Sequence, residues 1–192
     1  ICVAICWGSL HWVGDRVFAF PIPEGFDYLH TPDGGAVFNP SRYGLGPDID
    51  ILMRGRPIYG DVDTVIHRST GLNPPPIDPL GTMDAEIIAL SLESMAPIQL
   101  EPTSPFFNVF VDLNPDLRST GSVTITSHSP GPLGGGTYDS FFDVFARATL
   151  TEVGNPSNQM VFTIQDTITS TGSPWSHSAP VSYPGPDGWV AG

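Results

Sequence analysis

The chain is 192 residues long, with 20 acidic residues against 7 basic ones for a net charge of −13. Such a surface lacks the cationic charge that displaces counterions from nucleic acid or binds anionic membranes, and both are disfavoured as partners. Its first reading is solubility through mutual repulsion, and its second is divalent-cation binding. The hydrophobic share of 40% is that of a packed globular protein. No stretch approaches the roughly 20 apolar residues of a membrane span. Glycine and proline, 21 of each, are spread along the chain beside many β-branched and aromatic residues. That composition predicts an all-β fold rich in turns, specifically an antiparallel β-sandwich with irregular terminal segments.

Residues 1–45 mix apolar runs with turn signals such as Thr31-Pro-Asp-Gly-Gly35 and predict one or two short strands in irregular chain. The start, Ile1 to Leu10, has the composition of the end of a signal peptide's apolar region and is expected to be mature sequence. Its residues Ile1, Val3, Ile5 and Trp7 are candidates for an assembly arm that contacts a neighbouring subunit. Cys2 and Cys6 lie about 13 Å apart if extended, so they are buried free thiols or require a turn to bridge.

A core is expected over residues 46–170. Ile49, Ile51 and Met53 alternate with Asp48, Asp50 and Arg54; Gly60–Ile66 opens another strand; Ile88, Leu90 and Leu92 face inward. Val123 and Ile125 alternate with threonines, while Met160, Phe162, Ile164 and Ile168 share one phase. The 171–192 segment is rich in Pro, Ser and Gly, and its aromatics suggest docking rather than a linker.

Ser104-Pro-Phe-Phe-Asn-Val-Phe-Val-Asp112 recurs 35 residues later as Asp139-Ser-Phe-Phe-Asp-Val-Phe-Ala-Arg147. At that offset Ile88–Leu92 falls on Val123–Ser127, so units of about 84–118 and 119–153 read as strand, turn and aromatic strand. Two equivalent hairpins are expected. In the second copy Phe142, Val144, Ala146 and Leu150 share a face, leaving Phe141 and Phe145 on the other. That second apolar face is covered within the domain or by a partner.

Thr82–Leu92, the strand after Ser119-Thr-Gly121, and Asp139-Ser-Phe-Phe-Asp-Val-Phe145 together resemble a family of uncharacterised exported bacterial β-rich proteins, many with a C-terminal sorting anchor of the PEP-CTERM kind. The resemblance spans about residues 45–150. It implies export to the cell surface or beyond and a β-rich fold, and it assigns no catalytic residue. The end at Ala191-Gly192 carries no such anchor, so tethering by that route is not expected.

Chemistry-bearing patterns are sparse. The five histidines, His11, His30, His67, His128 and His177, fall in no metal-ligand spacing, and no nucleophile elbow is present. The pairs Asp48/Asp50 and Asp61/Asp63 would lie about 7 Å apart on a strand, a spacing that solvated strand faces produce routinely. Asp112-Leu-Asn114-Pro-Asp116 has the rhythm of a calcium loop but lacks the EF-hand glycine and terminal glutamate. Calcium is therefore the one ion with a candidate set, the alternative being a turn initiated by Asn114-Pro115. The leading expectation is a non-enzymatic extracellular structural protein that binds copies of itself in a surface assembly or filament. A glycan-binding module with Trp7, Trp12, Trp175 or Trp189 as stacking platform is the second, and a hydrolase with a spatially assembled site the third.

Overall fold

The computed structural model describes residues 3–4, 22, 24–72, 81–128 and 135–176. Alternating side chains resolve into strands β1 (Val3–Ala4), β2 (Gly25–Leu29), β3 (Ala36–Phe38), β4 (Ile51–Gly55), β5 (Thr64–Arg68) and β6 (Gly81–Ser94). They continue as β7 (Ile98–Gln99), β8 (Phe106–Leu113), β9 (Ser119–His128), β10 (Gly135–Glu152) and β11 (Gln159–Ser176). Among the described residues the only helical turn is a 3-10 turn, Pro40–Tyr43, capped by the Asn39 side chain. The protein is all-β.

The eleven strands form one sheet, and it closes on itself. Around the ring β2 pairs with β5, β5 with β6, β6 with β9, β9 with β10 and β10 with β11. The circuit is completed by β1, which pairs antiparallel with β2 and parallel with β11. The core is thus a closed barrel with extra strands, and the pairing does not resolve into the two separate sheets of a sandwich. Length explains the closure: β6 and β10 each offer one edge to two successive strands. β9 and β8 follow one another between them, both antiparallel to β6 and to β10.

Nor does the fold begin at residue 46. Gly25–Leu29 is a ring strand, paired along its whole length with β5, and β11 runs past residue 170 to Ser176. The supposed N-terminal segment therefore contributes barrel wall.

The sequence repeat holds for side-chain direction but not for pairing. Phe107, Val109 and Val111 are buried, and so are Phe142, Val144 and Ala146 at the same offset. Leu92, however, pairs with Val111, whereas Ser127, its counterpart, pairs with Thr137 rather than Ala146. The two hairpins therefore have different registers. The outer face of β10 is not covered within the described chain either. Phe141 is 44% exposed.

Where β8 gives way to β9, the ladder on β10 is interrupted, and Ser119 repairs it. Its buried Oγ accepts from Phe145 N at 2.9 Å and lies 3.3 Å from Phe145 O, which also accepts from Asn114 N. Next to it Gly121 pairs with Phe142, whose ring lies where a side chain would be. A Cβ on Gly121 would come within 1.9 Å of Phe141 O and 2.6 Å of the Phe142 ring.

Opposite this break β6 bulges. The partner of Val65 is Ala89 but that of Ile66 is Ile87, leaving Ile88 unpaired and turned outward. Met83, Ala85 and Ile87 thus face in before the bulge, and Leu90 and Leu92 pack on the core after it. The expected inward Ile88 is corrected by this extra residue. Tyr43, Leu45 and Ile49 are partly buried against the hydrophobic core. Tyr43 stacks on Phe38 and donates to Asp166 at 2.9 Å.

Candidate ligand cavity in the barrel lumen

Inward-facing side chains of the ring strands line an open cavity of about 420 Å³. Its apolar wall comes from inward positions of β5, β6, β9 and β10: Ile66, Met83, Ile87, Val123, Ile125 and Phe142. The β10–β11 wall is different, with Ser140 and Ser170 paired across the strands and Ser173 hydrogen-bonded to Ser170. Ile168 lines the cavity yet is 46% exposed, which places the mouth beside β11.

One ion pair is set into this wall. Asp27 on β2 is 3% exposed and Arg68 on β5 is 0% exposed. Arg68 Nε donates to the Asp27 carboxylate, at 3.0 Å to Oδ2 and 3.2 Å to Oδ1. Burial pushes the Asp27 carboxyl above its ordinary value, while the Arg68 charge and hydrogen bond pull it down. Two charges in a low-dielectric wall need each other, because either alone would cost several kcal/mol. Strand phase puts them there: Asp27 shares its face with Leu29, and Arg68 with Thr64 and Ile66. Sequence reasoning missed both. The available signal was a charge at the apolar phase of an alternating strand, visible in Gly25-Phe-Asp-Tyr-Leu29 and Thr64-Val-Ile-His-Arg68.

A second polar cluster lies at the outer junction of β2, β4 and β5. Asp63 is fully buried and accepts from Thr31 N, from Thr31 Oγ1 at 3.0 Å and from Thr64 Oγ1 at 2.8 Å. His30 Nδ1 stands 3.5 Å from Asp63 and 2.9 Å from the Asp61 carbonyl. These contacts tie a loop to the barrel. Asp61 is in the turn closed by the Tyr59–Val62 bridge and is exposed, so Asp61 and Asp63 do not share a strand face as expected. Asp48 and Asp50 do converge, but on Asn39, which donates to both at 2.8 and 3.0 Å.

The candidate calcium residues each have partners within the chain. Asp112 is engaged by Arg56 and Ser91, the Asn114 side chain accepts from Asp116 N, and Asp116 pairs with Arg147 at 2.7 Å. Each carboxylate already faces a guanidinium, and among the described residues no group of three metal-binding side chains converges. Of the assembly candidates, Val3 lies in β1, Phe141 is exposed and Phe145 half-buried on the outer face of β10. Ile1, Ile5 and Trp7 lie outside the described residues, as do Trp12, Trp189, Cys2 and Cys6. Trp175 is at the end of β11, where it pairs with Val3.

No family model matches the chain, and neither the curated proteins nor the solved structures searched gave a match. Among the described residues no helix is long and apolar enough to cross a membrane.

Proposed function

We propose that the protein is a non-enzymatic, exported binding module whose barrel lumen takes a small and largely apolar molecule. The observation that carries this is the cavity of about 420 Å³, whose mostly apolar surface is interrupted by the Asp27–Arg68 pair and by serine and threonine hydroxyls. Ligand sites of roughly 300–1,000 Å³ with such walls are commonly built in the mouths of β-barrels. Export rests on the resemblance of the aromatic strand motifs. Titration with N-phenyl-1-naphthylamine, a neutral dye that fluoresces in apolar surroundings, tests the lumen. Saturable binding of one dye per chain is expected, and it should be lost in Leu90→Trp or Val123→Trp, which fill the cavity. Absence of saturable binding, or binding indifferent to both fillings, refutes the reading.

Self-association is a second reading, favoured by the place of β1. A two-residue strand from the chain's N-terminal stretch joins β2 to β11, and the same strand from a neighbouring copy would satisfy the same partners. Calcium and glycans remain alternative ligands under this reading. Light scattering on the chain without residues 1–12 decides it: unchanged assembly excludes an arm made of Ile1, Val3, Ile5 and Trp7.

A further inference from the structure

The lumen wall carries charged and hydroxyl groups as well as an apolar surface. From the matched ion pair and the hydroxyl-bearing wall opposite, we infer that its ligand is an uncharged amphiphile, an apolar body carrying a hydroxyl or carbonyl group. This inference rests on the lumen reading above and specifies what enters.

Three observations carry it. The positive charge in the wall is already met, since Arg68 Nε donates to both oxygens of Asp27. A ligand carboxylate would share Arg68 with Asp27 and repel it, and a ligand ammonium would compete with Arg68 for Asp27. Either ion loses its hydration in a site that offers it no unshared counter-charge, and that cost exceeds the gain from burying a short alkyl chain. The second observation is the wall formed by Ser140, Ser170 and Ser173, which supplies donors and acceptors without charge. The third is the net charge of −13, which repels anions before they reach the mouth. An apolar body against Met83, Ile87 and Phe142 with a polar group toward β10 and β11 satisfies all three.

The test is competition against bound N-phenyl-1-naphthylamine at pH 7 by 1-decanol, decanoate and decyltrimethylammonium, three probes with the same chain. 1-Decanol should displace the dye at a concentration at least ~10-fold below that of either ion, the consequence of an unmatched buried charge. Displacement by decanoate at an equal or lower concentration would overturn the inference and make Arg68 a carboxylate receptor. The same result with decyltrimethylammonium would overturn it in favour of Asp27 as a cation site. In either case the dye still binds saturably, so the lumen reading survives; only failure of the dye itself removes both. The double variant Ser140→Ala/Ser170→Ala keeps the ion pair and alters half-buried side chains. It should raise the 1-decanol concentration that displaces the dye by about 2- to 10-fold, the value of one hydrogen bond, measured against the variant's own directly titrated dye affinity. No change for 1-decanol would reject the serine wall as the polar contact.

Discussion

Gly121 and Ser119 show what single residues do in this barrel. The Ser-Thr-Gly and Phe-Phe-Asp-Val-Phe motifs meet where β8 hands β10 over to β9. One supplies the hydroxyl and the bare backbone that the other requires. Gly121→Ala sets a methyl group against the Phe141 carbonyl, a backbone obstacle that cannot swing away, and should cost about 1–3 kcal/mol or more. Ser119→Ala leaves the Phe145 amide without its partner and should cost about 1–3 kcal/mol. The exposed neighbour change Thr120→Ala should stay within about 0.5 kcal/mol. Urea denaturation midpoints of the three variants check the ranking; equal midpoints would remove the structural reading of the motif. The sequence made these motifs conspicuous, yet their partnership was not legible, because it depends on which strands become neighbours across a closed sheet.

Among the elements, β2 and β5 are coupled by an ion pair buried at both ends. Removing one charge by Asp27→Leu or Arg68→Met strands the other and should cost about 3–5 kcal/mol, whereas the double variant should recover most of that loss. Additive losses in thermal or urea unfolding would show that the two side chains do not act as a pair. Surface carboxylates govern the acid limb instead. The Arg118 hydrogen bonds hold Glu86 below its ordinary value, and the Asn39 and Ser41 hydrogen bonds do the same for Asp48. Such groups stabilise the fold above their unfolded-state values, and that contribution is lost as pH falls through the native ones. Asp27 has the opposite sign, since the native state holds its proton more tightly than the unfolded chain. Stability should therefore fall below the ordinary carboxylate range, and less steeply in Glu86→Gln. A pH series of melting temperatures reads both slopes. Strand identity was legible at this scale because alternation reports facing directly, as at Ile51/Met53 and Val123/Ile125. The bulge at Ile88 was not, because an extra residue leaves no compositional mark.

At the scale of the whole molecule, the sequence spoke for an all-β fold but not for a single closed sheet. Sandwiches and barrels share the same alternation, and only strand length and sharing separate them. The cavity was likewise hidden, since Asp27 and Arg68 are 41 positions apart and meet only when β2 lies beside β5. Tyr43 illustrates a third long-range tie. Burial and its bond to Asp166 push its hydroxyl up to about 12. The native state thus keeps that proton after the unfolded chain has released it, and stability drains as pH rises toward that value. Burial also raises the Tyr28 hydroxyl, so a tyrosinate absorbance titration should show a late component that shrinks but does not vanish in Tyr43→Phe; a late component unchanged in that variant would dismiss the contact.

The pairing of Val3 with Trp175 has a consequence in time. It joins residues near opposite ends of the chain, so loop-closure entropy is among the largest this molecule meets, and long-range pairing of this kind slows folding. During synthesis the lumen stays open until β11 has emerged. Every ring contact except those of β11 can form beforehand. In that order the sheet curls first and is fastened last, and for the ligand proposed above this leaves an interval in which it is enclosed rather than admitted.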